Sequence, residues 1–95
     1  MLIARPDKGF RLSRSNYVSR LERGIRMDAS KSEAYDAIIE NLVMNAHRLG
    51  DAVFEGNSSL RHIEFSTKEF AFFFEYAVIG DLLEILIVDV NRNIK

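Results

Sequence analysis

The chain contains no cysteine among its 95 residues. This absence excludes disulfides, thiolate metal sites and cysteine nucleophiles, and it suits a reducing compartment. The first ten residues, MLIARPDKGF, lack the apolar segment of a secretory signal. The sequence also has no recognisable nucleophile motif, metal-ligand set or phosphate-binding loop. We therefore predict a cytoplasmic protein with no metal and no other cofactor.

A long uncharged apolar run is also missing. The most apolar stretch is KEFAFFFEYAVIGDLLEILIVDV, residues 68–90. It contains five acidic residues, and each would cost about 2.5–3.5 kcal/mol near the centre of a bilayer. These residues are Glu69, Glu75, Asp81, Glu84 and Asp89. We therefore predict that the stretch does not span a membrane and that the protein has no membrane partner.

Charge is unevenly distributed along the chain. Residues 1–32 carry eight basic and three acidic side chains, a net charge of +5, whereas the remaining 63 residues carry five basic and eleven acidic side chains, a net charge of −6. Such an asymmetry can indicate an anionic partner for the basic segment. Chance distribution over a small surface is the alternative.

Residues 70–90 have the pattern of a β-hairpin. Aromatic and β-branched residues, which favour strands, dominate residues 70–78 and 82–90, and Gly80 lies between the two runs. Alternation places Phe70, Phe72, Phe74, Tyr76 and Val78 on one face of the first strand, and Leu83, Ile85, Ile87 and Asp89 on one face of the second. Both strands are largely apolar on both faces. We therefore expect central strands, or strands that cover another layer or a dimer partner.

Four further segments precede the hairpin. Residues 58–66 alternate as a strand, and residues 9–13 have the pattern of an edge strand. Helical spacing predicts helices over 15–26 and 31–49, the second with a capping box from Ser30 to Glu33 and its end at Gly50. Residues 1–8 are expected to form a loose tail.

The predicted order is therefore β-α-α-β-β-β within a single domain over residues 1–95. Two helices in a hairpin would pack on one face of a mostly antiparallel four-stranded sheet, which is an α+β architecture.

Three motifs carry a resemblance to a known family. These are LVMNAHRLG at 42–50, LRHIEF at 60–65 and FFFEYAVIGDLLEILIVDVNRN at 72–93. In this order they resemble the RelE/ParE family of bacterial toxins from type II toxin–antitoxin modules. The resemblance implies the same α+β fold, a toxin neutralised by an antitoxin protein, and a target that is either mRNA in the ribosomal A site or DNA gyrase.

The resemblance also implies candidate catalytic residues. The mRNA-cleaving members of the family use basic side chains on the sheet and a tyrosine or similar group as acid or base. The corresponding residues in this chain are Arg61, Tyr76 and Arg92. Arginine can stabilise the charge on phosphate oxygens during cleavage. The chain departs from the pattern, however. Phe73 or a neighbouring phenylalanine stands where those members carry an arginine, and the loop 50–59 contains no lysine.

Each candidate also has a structural alternative. Arg61 could form a cross-strand salt bridge with Glu75 or Glu84, and Tyr76 could belong to the core. A basic cluster could bind an acidic antitoxin tail or nucleic acid, or it could be solvated surface; it comprises Arg11, Arg14, Arg20, Arg23 and Arg26. For the whole protein, the alternative to a toxin is a non-catalytic interaction module that forms a homodimer through its sheet.

Overall fold

A computed structural model of the chain describes residues 9–54 and 57–93. The elements follow the order β1 (Arg11–Arg14), α1 (Asn16–Arg26), α2 (Ala29–Asn45), β2 (Asp51–Phe54), β3 (Asn57–Ser66), β4 (Phe70–Ile79) and β5 (Leu82–Arg92). The α+β class predicted from the sequence is confirmed. The tail predicted for residues 1–8 lies outside the described residues.

The five strands form one mixed sheet in the order β1-β5-β4-β3-β2. β1 runs parallel to β5, and the other neighbouring strands are antiparallel. The prediction of four strands was one short because β2 has only four residues. So short a segment shows no clear alternation, and its DAVF sequence falls within the loop predicted for residues 50–59. β1 lies at the edge of the sheet, as predicted.

Both helices pack on one face of the sheet. The core beneath them is fully or nearly fully buried, and the ring of Tyr35 stacks on the ring of Phe74 with centroids 5.9 Å apart. Full burial of one such side chain contributes about 1.5–3 kcal/mol. The main contributors are Val18, Ile25, Tyr35, Ile38, Ile39, Leu42, Phe70, Phe72, Phe74, Tyr76, Leu83, Ile85 and Val88.

A β-bulge in β5 changes which side chains face the helices. Tyr76 pairs with Ile85, but Glu75 pairs with Ile87, so Leu86 is an extra residue in β5. The alternation therefore shifts by one residue. Val88 is buried in the core, whereas Ile87 lies on the other face and is 38% exposed. The sequence prediction that Ile87 shares a face with Leu83 and Ile85 was wrong for this reason.

The helix boundaries also differ from the prediction. Asp28 is the N-cap of α2, and its carboxylate accepts a hydrogen bond of 3.0 Å from the Lys31 amide, so the capping box at Ser30 was wrong. α2 ends at Asn45 rather than at residue 49. Residues 46–50 form turns and a bend that ends at Gly50, whose φ is 74°. α1 agrees closely with prediction, and Ser15 caps it by accepting from the Val18 amide.

Candidate functional site

Arg61 and Tyr76 lie directly opposite each other on β3 and β4. Both side chains are on the helix side of the sheet, next to the segment that follows α2. The Arg61 guanidinium donates two hydrogen bonds of 2.8 Å, one to the carbonyl of Leu49 and one to the carbonyl of Gly50. Arg61 therefore binds the chain where it passes from α2 into β2. The predicted salt bridge from Arg61 to Glu75 or Glu84 was wrong, because those carboxylates lie on the opposite face.

The Tyr76 side chain is fully buried and binds the same segment. Its hydroxyl donates to the Leu49 carbonyl at 2.7 Å, with the Ala46 carbonyl as a second acceptor at 3.0 Å. Burial raises the pKa of Tyr76, and the nearby Arg61 charge opposes this only in part. A general acid or base works best with a pKa near the operating pH. The hydroxyl of Tyr76 instead stays protonated and acts as a hydrogen-bond donor.

Gly50 completes this arrangement because it leaves room for the Tyr76 hydroxyl and the His62 carbonyl. A Cβ atom at this position would lie 3.0 Å from the Tyr76 hydroxyl and 2.6 Å from the His62 carbonyl oxygen. Its positive φ is also unfavourable for residues with a side chain. We call Gly50, Arg61 and Tyr76 the α2-end clamp, because together they hold the main-chain carbonyls of the segment between α2 and β2 in place.

The third candidate catalytic residue lies elsewhere on the sheet. Arg92 pairs with Phe70, six residues along β4 from Tyr76, which corresponds to roughly 20 Å of strand. It lines a shallow groove of about 380 Å³ with Lys68, Glu69 and Asn93. Groups that act on one phosphate must lie within hydrogen-bond reach of that phosphate. The structure thus brings Arg61 and Tyr76 together but places Arg92 apart from them.

Three of the five arginines in the predicted basic cluster form ion pairs within the chain. Arg11 forms a bidentate salt bridge with Asp81, with N–O distances of 2.8 and 3.0 Å. Arg14 contacts the carboxylate of Glu22 at 2.7 Å, and the Tyr35 hydroxyl donates to the same carboxylate at 2.6 Å. Burial and this carboxylate raise the pKa of Tyr35.

Arg26 contacts Asp36 at 2.6 Å and lies over the ring of Tyr35.

Arg20 and Arg23 differ from the other three arginines. Both are exposed on α1, and neither forms an ion pair with a residue in the described part of the chain. Tyr17 is 53% exposed and Met27 is 90% exposed at either end of the same helix. Tyr17 therefore does not share the buried side of α1 with Val18 and Ile25. We call Tyr17, Arg20, Arg23 and Met27 the α1 patch.

A second charged surface was not recognised from the sequence. Neither helix covers the other face of the sheet, and strand pairing places four carboxylates there, those of Glu64, Glu75, Glu84 and Asp89. We call this surface the acidic sheet face. Asp51, opposite His62, adds a fifth carboxylate at the β2 edge. The alternation of β3 and β4 indicated part of this face, but the bulge at Leu86 concealed the contribution of Asp89.

Within the part of the chain that the structure describes, no ion pair compensates the charge of the acidic sheet face. Its carboxylates form no ion pair with any residue within 9–54 or 57–93. On this face of β3, β4 and β5, no described residue is lysine or arginine. The apolar side chains between the carboxylates include Phe73, which is half-buried and contacts the ring of His62, and the exposed Ile87.

Comparisons with protein-family models, curated proteins and solved structures find no match to this chain. Among the described residues, no helix is long and apolar enough to cross a membrane. The same residues contain no cluster of three or more histidine or acidic side chains that could hold a metal ion.

Proposed function

We propose that this chain is a RelE/ParE-like toxin component of a type II toxin–antitoxin module that acts by binding other proteins, without cleaving RNA. The motifs at 42–50, 60–65 and 72–93 support the family, and the α+β arrangement of two helices on one sheet face is compatible with it. The observation that carries the non-cleaving part is the α2-end clamp. Both Arg61 and Tyr76 bind main-chain carbonyls after α2.

The charge of the sheet also supports binding rather than cleavage. Affinity for RNA depends on several phosphate contacts from basic side chains. The uncovered face of the sheet instead carries carboxylates that form no ion pair with a described residue, and Arg92 lies about 20 Å from the clamp. The ribosome and mRNA are therefore weaker candidates for partners than proteins are.

The α1 patch is the proposed antitoxin contact. Arg20 and Arg23 are available for an acidic segment, because Arg11, Arg14 and Arg26 already bind carboxylates within the chain. The neighbouring Tyr17 and Met27 add exposed apolar surface, and aromatic, methionine and arginine side chains are enriched at protein interfaces.

A growth experiment tests this function. The chain is expressed from a tightly controlled promoter, with and without the small reading frame that neighbours it in its genome. We expect growth arrest that the neighbour relieves. Arg20→Glu with Arg23→Glu should retain the arrest but lose the relief, because charge reversal at exposed interface residues weakens binding by at least about tenfold.

The controls separate binding from cleavage and from unfolding. Arg48→Glu reverses an exposed charge at the end of the helical layer and should leave relief by the neighbour unchanged. Arg92→Ala should remain toxic, because Arg92 has no proposed catalytic role here. Absence of arrest on expression contradicts the toxin proposal, and a folded but harmless Arg92→Ala variant favours RNA cleavage.

The homodimeric interaction module is less well supported. The uncovered sheet face with Ile87 exposed favours association of some kind. A two-fold dimer through this face, however, would bring two identical sets of carboxylates together. Like charges at an interface oppose binding. A partner of opposite charge suits this face better than a second copy does.

A further inference from the structure

We propose that the acidic sheet face is a second binding surface, and that its ligand is a basic amphipathic helix of another protein. This surface lies on the opposite side of the sheet from the helical layer that carries the α1 patch. The proposal does not depend on the toxin function, since it rests only on the charge and shape of the sheet.

Carboxylates flank apolar side chains across the central strands. On β4, Phe73 pairs with Glu64 of β3 on one side and with Asp89 of β5 on the other. Two residues further along β4, Glu75 pairs with the exposed Ile87. Neighbouring strands are about 4.8 Å apart, so the carboxylates on β3 and β5 are roughly 10 Å apart with Phe73 between them. This matches a ligand with a central apolar stripe and basic side chains on both flanks.

The dimensions of the face fit a helix. Five strands give a width of roughly 20 Å, and the ten residues of β4 give a length of roughly 34 Å. An α-helix with its side chains is about 10–12 Å across, and 18 residues extend about 27 Å. A sheet face that is apolar in part is commonly covered by helices, as the other face of this sheet already is.

The charge selects a basic ligand. The four carboxylates have no ion pair with described residues, so they bind a cationic partner without first losing an internal one. Lysine and arginine also have long alkyl chains, which can lie along Phe73 and Ile87 while their charged ends reach the carboxylates. An anionic ligand such as RNA would meet repulsion over the whole face.

A labelled peptide tests the proposal with the 95-residue chain. The probe is an 18-residue helical peptide of lysine and leucine with all leucines on one stripe, and binding is followed by fluorescence anisotropy. We expect saturable binding by the wild type that weakens as salt increases, because exposed charges are screened over about 10 Å at 0.1 M. A peptide of glutamate and leucine with the same pattern should not bind.

Matched protein variants locate the surface. Glu64→Lys with Asp89→Lys should weaken peptide binding at least tenfold. Glu33→Lys with Glu40→Lys makes the same change in net charge on exposed positions of α2 and should alter binding less than twofold. Ile87→Ser removes exposed apolar surface without changing charge, and it should weaken binding severalfold. Unfolding curves establish that each variant is folded.

Several results would overturn the proposal. Equal weakening by the two double variants would mean that the peptide responds only to net charge. Equal binding of a lysine–leucine peptide with scrambled order would remove the amphipathic helix as the ligand. Binding of a single-stranded RNA oligonucleotide that the Glu64→Lys/Asp89→Lys change weakens, or self-association that the peptide cannot displace, would assign the face to another partner.

The two proposals can fail separately. Peptide binding to purified protein is measured without any growth effect, and the relief of growth arrest is tested with variants of the α1 patch. Loss of either result therefore leaves the other interpretable.

Discussion

Arg61 and Tyr76 belong to residue types that can have either a catalytic or a structural role. An arginine and a tyrosine opposite each other on two strands resemble a phosphate-binding pair, but here each donates to carbonyls beyond α2. These carbonyls lack helical partners because the helix has ended. An unsatisfied buried acceptor costs about 1–3 kcal/mol. The pair therefore has a structural reason to be present, independent of any reaction.

Gly50 provides the sharpest test at this scale. Gly50→Ala should lower the free energy of unfolding by at least about 1–2 kcal/mol, since a side chain disfavours the left-handed backbone. The new Cβ would also contact the His62 carbonyl and the Tyr76 hydroxyl at 3.0 Å or less. The change should appear as a lower urea midpoint with an unchanged slope.

Gly24→Ala is the matched control. Gly24 lies within α1, and a Cβ there would have no atom within 4 Å. Alanine should therefore stabilise the protein by about 0.5–1 kcal/mol. If Gly50→Ala stabilises the protein as Gly24→Ala is expected to, the positive φ and the close packing at Gly50 are not the reason for its glycine.

The elements differ from their sequence patterns mainly at their ends and at one internal irregularity. α2 begins two residues earlier than the Ser30 signal suggests, because Asp28 is in the extended conformation that an N-cap requires. The bulge at Leu86 moves Val88 into the core and Ile87 onto the open face. Both features depend on local backbone geometry that composition does not specify.

The start of α2 yields a prediction at the scale of the element. Asp28→Ala should lower the free energy of unfolding by about 1 kcal/mol, because the Lys31 amide loses its acceptor. Ser30→Ala should change stability by less than about 0.5 kcal/mol, since Ser30 is an exposed residue inside the first turn. The measurement is the urea midpoint of each variant. A larger loss of stability for Ser30→Ala than for Asp28→Ala would instead support the capping box predicted from the sequence.

At the scale of the whole molecule, β1 and β5, which are far apart in the sequence, are neighbours in the sheet. β1 pairs in parallel with β5, and the Arg11–Asp81 contact links residues 70 positions apart. The hydrogen bond from Arg11, together with its charge, lowers the pKa of Asp81. Because the folded pKa is below the unfolded one, this stabilisation is present at neutral pH and is lost as the pH falls through the folded pKa.

An NMR titration of the Asp81 carboxyl group checks this link. Arg11→Gln should raise the pKa of Asp81 towards its ordinary value, and high salt should do the same in the wild type because both side chains are exposed. Arg20→Gln is the control, since Arg20 lies on α1 and should not affect this titration. An unchanged Asp81 pKa in Arg11→Gln would show that the contact does not persist in solution.

Much of the architecture could be predicted from the sequence, because the hydrophobic periodicity of a long segment shows whether it is a helix or a strand. The aromatic alternation of Phe70, Phe72, Phe74 and Tyr76 predicted both a strand and the face that is buried. The strand around Arg61, the two helices and the turn at Gly80 were also predicted. Four-residue β2 was missed, since it offers too few positions for a period to be recognised.

The sequence by itself determined the α+β class, the central hairpin and the uneven charge, since these follow from periodicity and composition. Only the tertiary structure decided which groups meet. The folded chain joined Arg61 to the segment after α2, separated Arg92 from it, and paired Arg11, Arg14 and Arg26 with carboxylates of the same chain. Strand pairing also gathered carboxylates from β3, β4 and β5 onto one uncovered face, and Asp89 joined them because the one-residue bulge at Leu86 changes the side to which the later side chains of β5 point.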